Sequence, residues 1–300
     1  MPISGLHLLL TYKCTHECDH CFVFGSPFAK GTMTIADIRE IYKQAQKLGT
    51  IEWIFFEGGE PFLYYPIMLR GIEEASEMGF KTGIVTDTYW ATTVEDALEW
   101  LTPISKVGLS DLSVSEDIFH QEEEEKEYPK NAIKAAEMLG LPVGTITIEE
   151  PKPKTSEEIG WKGKPVTEGD VMFRGRAAEK LTEGLPRRNW AEFVECRHED
   201  LANPSRVHID PFGFIHLCQG LVLGNYKETS LSQLIESYDP ISHPICAPIL
   251  ERGPVALVEK YNIPHEEGYV DECHLCYCAR SALRKRFPKY LAPGQMYGEL

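Results

Sequence analysis

Short apolar runs alternate with amphipathic stretches through the first half of the chain. The run Gly5–Thr11 (GLHLLLT) has the length and bulk of a buried strand. Behind Thr34, the residues Ile35, Ile38, Ile41, Tyr42, Ala45 and Leu48 recur at helical spacing, and Gly49 follows as a stop. Thr34 therefore reads as an N-cap. Residues 51–56 (IEWIFF) predict a second strand, 66–78 a helix ending at Gly79, and 81–86 (KTGIVT) a third strand. A helix at 94–101, a strand across 107–115, a helix around 131–139 and a strand at 143–148 continue the alternation. Repeated β-then-α units build a parallel sheet with right-handed crossovers, curved or closed into a barrel.

The pattern then loosens. Residues 150–170 are rich in Pro, Lys, Gly and Glu and read as an excursion. Val171-Met172-Phe173 is expected to be a sixth strand, ending near Arg174. Residues 207–210 and 214–217, joined through Pro211-Phe212-Gly213, predict a β-hairpin. The expected division is 1–180 and 181–300. The acidic run 122–125 is expected on a solvated face.

Composition narrows the function. The 300 residues are 43% hydrophobic and 25% charged, as in an ordinary folded domain. A formal net charge of −16 repels a phosphate backbone, so no nucleic-acid partner is expected. No apolar run approaches the roughly 18–20 residues of a membrane helix. Met1-Pro2-Ile3-Ser4 lacks the basic start of a signal peptide, so a cytoplasmic protein with no membrane partner is expected. Nine cysteines then stand out, because a reducing compartment disfavours disulfides and these thiols cluster.

Cys14, Cys18 and Cys21 are spaced C-x3-C-x2-C in the loop after the first strand. That is the carboxyl end of the sheet, where α/β folds place active sites. Three thiolates hold three corners of a [4Fe–4S] cube and leave one iron open to a substrate or cofactor. A structural zinc site completed by His16 or His20 is the other chemistry the spacing permits.

With that loop in place, Gly58-Gly59-Glu60-Pro61 after the second strand resembles the GGEP motif of the radical S-adenosylmethionine (SAM) enzymes, whose signature is C-x3-C-x2-C. Residues 113–120 (SVSEDIFH) are similar to the family's Ser-x-Asp-x-Phe-His segment, and Gly144-Thr145-Ile146 to the start of its G-x-I-x-G-x-x-E pattern, with Ile148 at the later glycine. Phe173-Arg174-Gly175-Arg176-Ala177 resembles a Gly-Arg-Ala segment near the sixth strand. Thr86-Asp87-Thr88 stands where many relatives carry a Thr-Asn-Gly turn.

The resemblance covers residues 5–180 and implies an α/β fold. The fold expected is a partial (β/α)6 TIM-like barrel with a small C-terminal Fe–S-binding extension containing the β-hairpin. Cys14, Cys18 and Cys21 would bind three irons of a [4Fe–4S] cluster, and SAM would chelate the fourth through its amino and carboxylate groups. By the same resemblance Gly58, Gly59 and Glu60 hold the SAM ammonium, and Ser113 or Ser115 reaches the ribose or the carboxylate. Ile146 packs near adenine and Arg176 pairs with the SAM carboxylate. The implied activity is reductive cleavage of SAM to a 5′-deoxyadenosyl radical that abstracts hydrogen from a substrate. Plainer readings stand beside these roles: backbone-satisfying hydroxyls for the serines, barrel packing for Ile146, an ion pair for Arg176 and a structural His120.

In the last third, Gly213 and Cys218 are spaced G-x4-C, with Cys196 upstream and Cys273, Cys276 and Cys278 downstream. This resembles the SPASM and twitch extensions of radical SAM enzymes and implies one auxiliary cluster, expected to be [4Fe–4S]. Its expected ligands are Cys196, Cys218, Cys273 and Cys276; Cys278 competes with Cys276, and a zinc staple is the alternative. Cys246 reads as buried packing. Arg280, Arg284, Lys285, Arg286 and Lys289 read as a solvated face that suits an acidic electron donor such as flavodoxin or ferredoxin. The first strand begins by Gly5, leaving no room for a leader-binding domain. The expected substrate therefore tilts towards a small molecule, or a peptide presented without such a domain. The alternative class is a non-catalytic zinc-binding scaffold protein.

Overall fold

The computed structural model describes residues 3–120, 126–157 and 162–299; the acidic run 122–125 lies outside them. Its first half is β1 (Gly5–Thr11), α1 (Ile35–Leu48), β2 (Trp53–Gly58), α2 (Tyr65–Glu77), β3 (Lys81–Thr86), α3 (Val94–Ser105), β4 (Asp111–Ser115), α4 (Tyr128–Met138) and β5 (Val143–Ile146). The strand expected across 107–115 shortens to β4, because Gly108, at φ 86°, turns the chain first. α3 runs past its expected end to Ser105, with Pro103 taken into its last turn.

Thr34 caps α1 as its position predicts. Its side chain accepts from Asp37 N, and the Asp37 carboxylate accepts from Thr34 N at 2.9 Å. Lys227 Nζ lies 2.9 Å from the same carboxylate, so the cap also ties the last third of the chain to α1. Thr34→Ala is expected to cost about 1 kcal/mol, read as a lower urea midpoint at unchanged slope.

The second half carries β6 (Lys152–Thr155), β7 (Pro165–Glu168), α5 (Arg176–Lys180), β8 (Arg188–Asn189), β9 (Arg206–Ile209), β10 (Phe214–Cys218) and β11 (Leu221–Asn225). After these come α6 (Leu231–Ser237), α7 (Cys246–Arg252), α8 (Val255–Tyr261), β12 (Gly268–Tyr269) and α9 (Glu272–Leu283). Within the excursion at 150–170, β6 and β7 pair antiparallel.

One eight-stranded sheet has the order β11-β10-β9-β1-β2-β3-β4-β5. β9, β1, β2, β3, β4 and β5 pair in parallel, and β10 and β11 close the β9 edge antiparallel. The sixth parallel strand is therefore β9, beside β1, and not Val171-Met172-Phe173, which forms no strand. Val171 and Phe173 instead pack with Ala177 and Val270 in a small apolar cluster of their own. The hairpin that opens the last third thus extends the sheet of the first part, and one apolar core runs from Ile3 to Tyr297. Tyr12 at the end of β1 donates to Asp210 after β9 at 2.8 Å, with both side chains buried. No described helix is long and apolar enough to cross a membrane.

Candidate active site

The segments that follow β1 to β5 converge on one cavity of about 280 Å³ at the carboxyl end of the sheet. Cys14, Cys18 and Cys21 all stand on its wall. Their loop is held by its own backbone and by one arginine: Arg176 donates to Cys18 O at 2.7 Å and to Gly25 O at 2.8 Å. Gly25 N donates to Cys21 Sγ at 3.2 Å and His16 N to Cys14 Sγ at 3.5 Å. Burial, then the Asp87 charge, pushes the Cys14 thiol up; burial, then Cys21, does the same for Cys18. Buried thiols beside anions shed their protons only to a cation that takes their place, which is what an iron centre supplies.

A single zinc held by the three thiols with His16 or His20 does not match the grouping. Ligand atoms of Cys14, His16 and Asp87 lie within 4.8 Å of one another, and so do those of Cys18, His20 and His120, as two separate groups.

Gly58 and Gly59 reach the wall for a reason internal to the chain. A Cβ on Gly59 would stand 2.0 Å from Lys13 O, and one on Gly58 2.5 Å from Thr11 O. Gly59 N donates to Thr11 O at 2.7 Å and Glu60 N to Lys13 O at 2.8 Å, so this turn is docked flat on the strand that feeds the cysteine loop. Only residues without a side chain permit that approach. Glu60 itself turns inward, fully buried and off the wall. Its carboxyl accepts from Phe62 N at 2.9 Å, Asp87 N at 2.8 Å and Thr86 Oγ1 at 3.0 Å. Burial, with the Asp87 charge next to it, holds Glu60 well above the usual carboxylate range.

Asp87 stands on the wall and braces the cysteine loop from β3. It accepts from Thr15 Oγ1 at 2.8 Å, and His16 Nδ1 lies 3.2 Å away. Burial works against its charge, but His16 and Tyr89 N–H outweigh it and hold the carboxyl low. The next residue, Thr88, takes φ 66°, a left-handed conformation that strains a β-branched side chain.

The other expected residues divide. Ser115 and Ile146 line the cavity. Ser113 does not; its Oγ donates to Asp111 at 2.8 Å. Arg176 is committed to the loop carbonyls, and Arg174 is the arginine on the wall. His120 lines the cavity and pairs with Asp117 at 2.8 Å. Its neighbour His20 is pushed down to about 4 by burial and then by His120, which keeps it neutral.

A third polar group was not anticipated. Glu57 lies on the wall, with His7 Nδ1 3.0 Å from one carboxylate oxygen and His208 Nε2 3.0 Å from the other. Burial opposes its charge, yet His7 and then His208 outweigh burial and hold it low. One polar residue inside each of three apolar strands was the available signal.

The second set of thiols also converges. Cys196, Cys218, Cys273 and Cys276 line one small cavity, while Cys246 and Cys278 are off its wall. Cys273 and Cys276 share a face of α9, being about 300° apart around the axis, whereas Cys278 lies about 200° beyond Cys276, on the far side. Arg280, expected on a solvated face, is 1% exposed and lines this cavity. It donates to Gln219 O, its Nε is buried without a partner, and no carboxylate pairs with it among the described residues. Burial works against its charge, and Cys276 leads the groups that outweigh burial. A buried guanidinium without a carboxylate is costly unless anionic sulfur faces it, so the donor set suits a thiolate-ligated cluster. Arg284 pairs with Glu299, which leaves Lys285, Arg286 and Lys289 as the exposed cations of that stretch.

A cysteine loop, a glycine turn and strand-end polar groups at the carboxyl end of a parallel α/β sheet define a cofactor-dependent enzyme. Residues 8–148 match the model of the radical SAM superfamily. Over those residues the chain is similar to that superfamily of enzymes. It is 22% identical over 259 residues to the putative peptide biosynthesis protein YydG of Bacillus subtilis (strain 168), covering 84% of this chain and 72% of that protein. It is 28% identical over 121 residues to a probable GTP 3′,8-cyclase of Methanothermobacter thermautotrophicus, a match that spans 40% of this chain and only 37% of the cyclase. Among solved structures, Streptococcus suis SuiB bound to S-adenosylmethionine aligns with TM-score 0.43 and 15% identity over 79% of this chain and 66% of that one.

Proposed function

We propose that the protein is a peptide-modifying radical SAM enzyme whose residues 181–300 form a twitch-like unit with one auxiliary cluster. The observation that carries the reading is the convergence of Cys14, Cys18 and Cys21 with Gly58 and Gly59 on one cavity at the carboxyl end of the sheet. A [4Fe–4S] cluster with SAM supplies, when bound, a 5′-deoxyadenosyl radical that takes hydrogen from the substrate. The chain's own residues orient and shield that chemistry. Arg176 and Asp87 fix the cysteine loop from two sides, and the Gly58-Gly59 turn holds its entry. Ser115 and Ile146 line the space assigned to SAM, and Glu57 offers a carboxylate at the same wall.

Similarity to a protein named for peptide biosynthesis supports a peptide over a small metabolite as substrate. Cys196, Cys218, Cys273 and Cys276 are the proposed auxiliary ligands, and the buried Arg174 and Arg280 on the same cavity wall match the negative charge of a thiolate-bound cluster. The exposed Lys285, Arg286 and Lys289 suit an acidic electron donor.

Anaerobic reconstitution, reduction with dithionite and addition of SAM is the test. 5′-Deoxyadenosine is expected by mass spectrometry, with faster formation when a panel of synthetic peptides contains the substrate sequence. Its absence from fully iron-loaded protein, with and without peptides, would sink the reading.

A further inference from the structure

Arg174 stands on the wall of both cavities, the one lined by Cys14, Cys18 and Cys21 and the one lined by the four later thiols. Its Nη1 donates to Cys218 Sγ at 3.2 Å and to Glu199 Oε1 at 3.2 Å. On the reaction-cavity side it lies 5.6 Å over the ring of Phe22, another wall residue. It is 8% exposed, and its Nε is buried with no partner among the described residues. Burial works against its charge, and Cys218, Glu199 and Cys273 outweigh burial. A guanidinium is a rigid plane, so a contact on one edge turns the donors on the other.

We propose, resting on the auxiliary-cluster reading above, that Arg174 is a positioning residue that couples the two sites. It holds Cys218 Sγ and thereby sets the potential of the auxiliary cluster, and a molecule filling the reaction cavity shifts that potential through the same guanidinium. A charged donor to a ligating sulfur stabilises the reduced, more negative cluster and raises its potential. An occupant that draws the plane towards the reaction cavity weakens that bond and lowers the potential. By linkage, the oxidation state of the cluster then biases how tightly the cavity binds its occupant.

The test separates this coupling from the reading it rests on. With Cys14, Cys18 and Cys21 all replaced by alanine, only the auxiliary cluster assembles, and its potential is read by titration with electron paramagnetic resonance. Arg174→Gln in that background is expected to lower the ratio of reduced to oxidised cluster about tenfold at a fixed potential, a shift of about 59 mV for a one-electron couple. Arg174→Lys keeps the charge without the fork and is expected to recover part of the loss. In protein carrying both clusters, SAM is expected to shift the auxiliary potential of the wild type and leave that of Arg174→Gln in place.

No iron in the triple-alanine protein would remove the auxiliary cluster itself, and this proposal with it. Iron present with an unchanged potential in Arg174→Gln would overturn the coupling alone. So would a SAM shift that is absent from the wild type or survives in the variant. Where Arg174→Gln fails to assemble the cluster, Arg174→Lys is read by the same two criteria.

Discussion

Cys18→Ala is expected to abolish 5′-deoxyadenosine formation, down to the level of a protein-free control, and to lower bound iron by about four per chain if each site holds a four-iron cluster. The size of the effect follows from the place of Cys18 in the loop. Its carbonyl accepts from Cys21 N at 3.0 Å and from Arg176 at 2.7 Å, so the backbone that presents the three sulfurs stays in place when one sulfur is removed. On the proposed reading, what would be lost is a corner of the cluster and with it the site that reduces SAM, not the fold. Circular dichroism and the denaturation midpoint are therefore expected to stay near wild type while turnover disappears. Retention of 5′-deoxyadenosine formation in Cys18→Ala would place the chemistry elsewhere.

Local chemistry and periodicity carried most of the first half. Thr34 and Gly49 bound α1 because cap chemistry acts within a turn. The three early cysteines stand together because eight residues of one loop cannot separate far. Non-local pairing was less visible. β9 takes the place beside β1 across almost 200 residues of intervening chain, and nothing in residues 206–209 names that neighbour. Val171-Met172-Phe173 offered an apolar run with the right composition, but its burial comes from Ala177 and Val270 instead of a strand.

The candidate site shows the same divide at finer grain. The family resemblance pointed to the Phe173–Ala177 segment, yet only the folded backbone decides which arginine faces the cavity. Arg176 reaches back to Cys18 and Gly25, while Arg174, two positions earlier, reaches the cavity. Glu60 follows the motif but points into the core, where three donors hold it, and its neighbour Glu57 takes the wall position. A motif specifies a backbone turn more firmly than it specifies the direction of each side chain on it.

The later thiols give the second large expected effect. Cys276→Ala is expected to remove the auxiliary cluster, about four irons per chain, while the first cluster assembles and SAM cleavage survives at least in part. Cys278→Ala is expected to leave both clusters and the cleavage rate intact. The two cysteines are two residues apart, so composition treats them alike; a helix does not. Along α9 a step of three returns Cys276 to the face of Cys273, and a step of two carries Cys278 about 200° away. Asp271 fixes that rotation by accepting from His274 N at 2.7 Å, and Arg280 then falls over the same cavity as Cys276. Iron and sulfide analysis of the two single variants, with the absorbance of each, reads the outcome directly. Loss of iron in Cys278→Ala with full retention in Cys276→Ala would mean that α9 is rotated in the cluster-bound protein, and equal loss of the first cluster in both would remove the two-site picture.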